Sequence, residues 1–180
     1  MKAIKLVLFA LLLTGLSCKE EPVKDTNPDQ KSISTFYLIR HAEKDRSNPD
    51  DADPELNQKG LGRAMHWAEI LDGVILDAIY STDFNRTSMT AAPTSVKKNI
   101  DVQYYDPRII DMEQFKADNL NKNVFVVGHS NTTPEFVNAL IGEEKYSDID
   151  DSENGTLFIV TIVNGIATDT KLMFNCNCPD

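Results

Sequence analysis

Two arginines and two histidines in this chain stand where apolar runs end, and their placement is the first sign of chemistry. The run Phe36-Tyr-Leu-Ile39 passes directly into Arg40-His41. Ile79-Tyr-Ser81-Thr82-Asp83 passes into a segment that carries Arg86. Val124-Phe-Val-Val127 passes through Gly128 into His129-Ser130-Asn131. Arginine grips phosphate oxygens with a planar fork of donors and does not lose its charge. Nearby cations oppose protonation of an imidazole, and a neutral histidine can attack phosphorus to form a phosphohistidine that water then hydrolyses. A helix start placed after such a strand adds backbone donors and a positive dipole. Two imidazoles, two guanidiniums and two helix N-termini on one edge suit phosphoryl transfer. With arginine and histidine supplying the electrostatic stabilisation, that chemistry needs no metal. A lone Arg-His pair after a strand would read as a structural ion pair; the joint placement with Arg86 and His129 reverses that reading.

The elements that must position these residues alternate along the chain. Strand-like runs lie at Thr35–Ile39, Leu76–Tyr80, Val102–Tyr105, Val124–Gly128, Leu157–Val163 and Ile166–Met173. Helical patterns lie at Gln58–Leu71, Phe84–Lys97, Met112–Leu120 and Thr133–Ile141. Such alternation predicts an α/β domain of three layers, with a largely parallel central sheet flanked by helices. In these sheets ligands sit beyond the carboxyl ends of the strands, where Arg40, His41 and His129 emerge. Asn164-Gly165 joins the last two strands and predicts an antiparallel hairpin at the C-terminal edge. In the first helix Leu61, Ala64, Met65, Ala68 and Leu71 repeat at helical spacing and predict the buried face. Trp67 reads as packing and His66 as helix surface. Thr132 and Glu135 have the spacing of a capping box at the fourth helix.

The chain has 180 residues, 41% of them hydrophobic and 26% charged, enough for one core. Lys2, Lys5 and the short apolar run Leu6–Leu13 form a secretory signal, too short to span a bilayer. Ser17-Cys18 resembles a bacterial lipoprotein processing site, which implies a lipidated Cys18 after removal of residues 1–17. Residues 18–34 are polar, lack aromatics and read as a disordered tether. The folded domain is expected over 35–175, followed by a tail of 176–180. Cys176 and Cys178 allow a disulfide, but a loose tail is the preferred reading. Removing residues 1–17 takes away two lysines and no acid, so the net charge moves from −10 to −12. This excludes nucleic acid and anionic membrane surfaces as electrostatic partners. Two acidic clusters invite a metal reading. Asp148–Glu153 begins with calcium-loop spacing but has Glu153 where glycine is required, and it reads as a solvated loop. Asp50–Asp53 reads equally well as a rim of the pocket or as a solvated turn.

Taken in order, these motifs resemble the histidine phosphatase superfamily, also called phosphoglycerate mutase-like. Arg40-His41-Ala42-Glu43 is similar to its Arg-His-Gly-Glu signature, with Ala42 in place of glycine. Ser81–Ala91 resembles its second-arginine segment, and Gly128-His129-Ser-Asn131 its second-histidine segment. The resemblance implies that His41 is the phosphorylated nucleophile, while Arg40, Arg86 and His129 hold the phosphoryl group together with Asn131. It implies no metal and no cofactor. The family's proton-donating acid has no clear counterpart, and Asp106 is the first candidate and Glu43 the second. The expectation is a phosphatase of the small branch, lipid-anchored outside the cytoplasm, acting on a small phosphomonoester or phosphorylated sugar. The membrane enters only through the anchor, and no oligomeric state is implied. Because a phosphoramidate needs an acid less than an ester does, a protein phosphohistidine phosphatase is the alternative. A degenerate module that binds a phosphorylated ligand without turnover is the alternative of another class.

Overall fold

The computed structural model describes residues 31–176 and 178. The expected signal peptide, Cys18 and the tether as far as residue 30 lie outside these residues, as do 177, 179 and 180. The chain order is β1 (Ile33–Arg40), α1 (Gln58–Ile70), β2 (Ala78–Thr82), α2 (Asn85–Lys98), β3 (Val102–Tyr105), α3 (Met112–Asp118), β4 (Asn123–Gly128), α4 (Thr132–Ile141), β5 (Thr156–Val163) and β6 (Ile166–Met173). The strands form one sheet in the order β3-β2-β4-β1-β5-β6. β3, β2, β4 and β1 run parallel, and β5 and β6 join antiparallel beyond β1. The α/β reading with an antiparallel edge hairpin therefore holds. Asn164 and Gly165 have φ of 51° and 82°, the pair of left-handed residues that a tight two-residue hairpin requires.

The apolar runs of β1 and β4 are continuous because both faces of the sheet are covered. Phe36, Leu38, Val124 and Val126 point to one cluster, with Phe115 of α3 and Phe136, Val137 and Leu140 of α4. Ile39, Phe125 and Val127 point to the other, with Trp67 and Leu71 at α1 and Ala91 of α2. Because the strand period is two, consecutive residues divide between two helical layers.

Three local expectations are corrected. β1 begins two residues before the expected domain boundary, because the Ser34 hydroxyl donates to the Asn119 carbonyl and accepts from Asn121 N–H, both at 2.9 Å, and so can be buried. The buried stripe of α1 is Gly60, Arg63, Ala64, Trp67 and Ala68, whereas Leu61 and Met65 are exposed. Arg63 turns inward to pair with Glu43, and Trp67 packs edge-on against Phe174 at 5.7 Å, which rotates the helix away from the predicted face. Cys176 and Cys178 are joined as a disulfide rather than left as a loose tail.

Candidate active site

Four parallel strands release their carboxyl ends on one edge. The order β2-β4-β1 places Thr82, Gly128 and Arg40 next to one another there. Backbone pairing runs one step past the strand, since His41 N–H donates to the Gly128 carbonyl at 2.9 Å. The carbonyl of His41 in turn accepts from the Asn154 amide at 2.9 Å, and Ala42 N–H donates to the Thr90 hydroxyl at 2.9 Å. Three elements thus fix the backbone that carries His41. Ala42 is fully buried, so the small residue at this place is a packing requirement.

The edge opens into a cavity of about 870 Å³ lined by Arg40, His41, Arg86, His129, Asn131 and Asp106, among others. These six residues therefore meet in one space, whereas Glu43, the second candidate acid, lines a smaller adjoining cavity and Cys18 lies outside the described residues. The imidazoles of His41 and His129 face each other with ring centroids 5.5 Å apart. His41 Nδ1 lies 2.8 Å from the Ala42 carbonyl, which fixes the proton on Nδ1 and leaves the Nε2 lone pair uncommitted. Burial first, and then the charges of Arg40 and Arg86 with the facing His129, bring the His41 pKa down to about 3 against the upward pull of the Ala42 bond. Burial, Arg86, Arg40 and Lys44 bring His129 to about 4. Both rings are neutral at pH 7.

Each arginine is anchored but keeps an unsatisfied donor. Arg40 is 2% exposed, and its Nη1 donates to the carbonyls of Asp150 at 2.9 Å and Glu153 at 3.3 Å. Arg86 pairs with Asp53 at 3.2 Å and lies over the Phe84 ring at 4.4 Å. The Nε of Arg40 and the Nε of Arg86 are both buried with no hydrogen-bond partner among the described residues. Leaving such donors unpaired in the interior is costly, and both belong to residues that line the cavity, where an entering oxyanion would supply an acceptor. Among the described residues no group of three or more His, Cys, Asp or Glu side chains is placed to hold a metal ion.

The two candidate acids are both held as carboxylates. Asp106 is bound by Arg108 through Nε at 2.9 Å and Nη2 at 2.6 Å, which lowers its pKa to about 2. Burial pushes Glu43 up, but the hydrogen bonds and charge of Arg63 outweigh it and leave the carboxyl below its ordinary value. In this arrangement neither has a proton to give at pH 7.

Several participants escaped the sequence reading. Asp53 reaches across from the loop before α1 and accepts from Asn85 N–H at 2.9 Å, capping α2, whose own N-cap Phe84 makes no side-chain bond. The Thr82 hydroxyl lies 2.9 Å from His129 Nε2. Thr132 does not form the expected capping box; its hydroxyl accepts from His129 N–H at 3.1 Å and steadies the loop instead. The 150–154 segment, read as a solvated loop, supplies two carbonyls to Arg40, the Asn154 amide to His41 and the carboxylate of Asp151 to the cavity. These contacts are between residues about a hundred positions apart, and only the consecutive acids hinted at them.

The family model described as histidine phosphatase superfamily (branch 1) matches residues 36–120. No curated protein matches the chain. Among solved structures, the protein histidine phosphatase SixA complexed with tungstate aligns with a TM-score of 0.63 at 17% identity, covering 77% of this chain and 96% of that one. The α-ribazole phosphatase from Shigella flexneri aligns with a TM-score of 0.62 at 17% identity, covering 78% and 96%. The mycobacterial glucosyl-3-phosphoglycerate phosphatase aligns with a TM-score of 0.59 at 13% identity, covering 81% and 100%. At these identities the likeness is one of fold.

Proposed function

We propose that this chain, which matches the histidine phosphatase superfamily model over residues 36–120, is a phosphatase of that type and acts on a small phosphorylated substrate through a covalent intermediate on His41. The observation that carries this reading is the pair of buried, unpartnered guanidinium N–H groups of Arg40 and Arg86 in the same cavity wall as a neutral His41. In the first step His41 Nε2 bonds to phosphorus as the bond to the leaving group breaks, and the leaving atom takes up a proton from solvent. In the second step water attacks phosphorus and gives a proton back to solvent, the P–N bond breaks and inorganic phosphate departs. Arg40 and Arg86 balance the charge on the non-bridging oxygens in both steps. The Thr82 hydroxyl, 2.9 Å from Nε2, orients the His129 ring beside the same oxygens.

One observation favours a second reading of the substrate. Asp106 and Glu43 are both ionised by arginines, so neither is ready to protonate a poor alkoxide leaving group. A phosphoramidate such as phosphohistidine carries a basic leaving nitrogen and depends on such an acid less. The likeness to a protein histidine phosphatase of known structure is in keeping with this reading.

The test is hydrolysis of an aryl phosphate, an alkyl phosphate and phosphohistidine by the full chain in excess chelator. Turnover of at least one, abolished in His41→Ala, is the expected result. Preference for phosphohistidine over the alkyl ester would establish the second reading. Turnover lost on chelation and restored by a divalent ion would contradict the mechanism. Binding of phosphate without turnover of any of the three would leave a non-catalytic module.

A further inference from the structure

The cavity contains a carboxylate that neither the superfamily match nor the proposed chemistry calls for. Asp151 Oδ1 lies 2.5 Å from Arg40 Nη2, and its Oδ2 lies 2.6 Å from Arg46 Nη2. The same residue lines both the main cavity and a smaller adjoining one of about 260 Å³ bounded by His41, Lys44, Arg46 and Lys59. Hydrogen bonds to Arg40 and Arg46 hold the Asp151 carboxyl below its ordinary value, so it is an anion.

Its place on Arg40 matters. Both hydrogens of Arg40 Nη1 are engaged by fixed main-chain carbonyls, those of Asp150 and Glu153. The edge that remains for an incoming group is the one shared by Nε and Nη2, which is the geometry of a bidentate oxyanion contact. Nε on that edge is unpartnered, and Nη2 is held by Asp151. A carboxylate of the chain itself therefore engages one of the two donor atoms that a phosphoryl group would take. The carbonyls cannot leave without moving the loop, but the Asp151 side chain is 65% exposed and returns to water by rotation alone. The pair joins a buried guanidinium to an exposed carboxylate of single charge, and a dianion brings twice that charge to the same donors.

We propose that Asp151 is a built-in competitor for the phosphoryl site: its carboxylate occupies the anion-binding edge of Arg40 until a phosphoryl group displaces it, and it thereby limits how tightly substrate and released phosphate are held. The inference rests on the phosphatase reading above. It assigns Asp151 a specificity role, since a carboxylate so near the oxyanion opposes every added negative charge on the ligand. Neutral or cationic leaving groups are favoured over polyanionic ones. Arg46, bridged by the same carboxylate, becomes available to the ligand when Asp151 moves.

Binding of inorganic phosphate to the full chain, measured by titration calorimetry, tests this. In Asp151→Asn the dissociation constant is expected to fall about tenfold, the scale of one charge-assisted hydrogen bond. The KM for an aryl phosphate should fall by the same factor, and Asp151→Glu should restore wild-type values. If the wild type binds phosphate and Asp151→Asn binds it equally or more weakly, the competitor role is overturned and Asp151 merely positions Arg40. If neither binds phosphate, the competitor role is overturned, while turnover of the aryl phosphate decides the phosphatase reading separately.

Discussion

At His41 and His129 the surroundings decide the protonation state, and the decision has a cost in stability. Both imidazoles are held well below the ordinary value of 6.5, at about 3 and about 4, chiefly by burial. The unfolded chain takes up protons on these rings as pH falls through about 6.5, while the folded chain does not. Stability is therefore full above that pH and declines as pH falls toward 4. Thermal unfolding followed from pH 7.5 to 4.5 should show a falling Tm, with a shallower decline in His41→Gln and His129→Gln. Equal slopes in all three proteins would mean that the rings titrate normally. The same depression keeps the His41 lone pair available in mildly acid solution, so its protonation should not be what limits activity near pH 6. Arg40 illustrates the balance at this scale: main-chain carbonyls fix its direction, while its Nε stays unpartnered and its Nη2 is held by a side chain that can turn away.

Among the elements, the segment after β1 is held against the segment before α1, and this contact carries the site. Asn57 N–H donates to the Glu43 carbonyl at 3.0 Å, and Asp45 N–H donates to the Glu55 carbonyl at 2.8 Å. Gly60 lies so close that an added methyl would overlap the Glu43 carbonyl, a backbone atom that cannot swing aside. Gly60→Ala should destabilise the fold by about 1–3 kcal/mol, as overpacking does. Gly73, which has open space around its Cα, serves as the comparison and should be tolerated. Thermal unfolding of the two variants checks this; a Gly60→Ala protein as stable as Gly73→Ala would remove the contact from the account. The sequence announced the helix at Gln58 but not this approach. What was legible came from local patterns: the apolar runs of β1 and β4, the Asn164-Gly165 turn, and the Arg-His and Gly-His steps at strand ends. What was not legible came from chain segments far apart that meet in space. The Glu43–Arg63 pair turned α1 on its axis, and the 150–154 loop reached Arg40 and His41 although its composition reads as solvated.

At the scale of the whole molecule, the chain carries a net charge of −10 while its cavity gathers Arg40, Arg86 and Lys44. Arg108 adds a fourth cation, and Asp83, Asp106 and Asp151 set three carboxylates against them. The cavity lining is thus slightly positive in a strongly acidic chain, which suits small phosphorylated ligands over nucleic acid. No helix among the described residues is long and apolar enough to cross a membrane. We propose that Cys18 is lipidated and holds the protein at a membrane outside the cytoplasm. Cys18→Ser should then move it from the membrane fraction to the soluble fraction, or leave it unprocessed. A wild-type protein already soluble after signal removal would contradict the anchor. The central claim, a phosphoryl group carried covalently by His41, has a direct measurement. The full chain is mixed with labelled aryl phosphate, quenched within one turnover and digested for mass spectrometry of the peptide spanning Phe36–Lys44. The account predicts one acid-labile, base-stable phosphate on His41, absent from His41→Ala and present in Asp106→Asn. Label on His129 instead, or single-turnover hydrolysis with no labelled peptide at all, would contradict it.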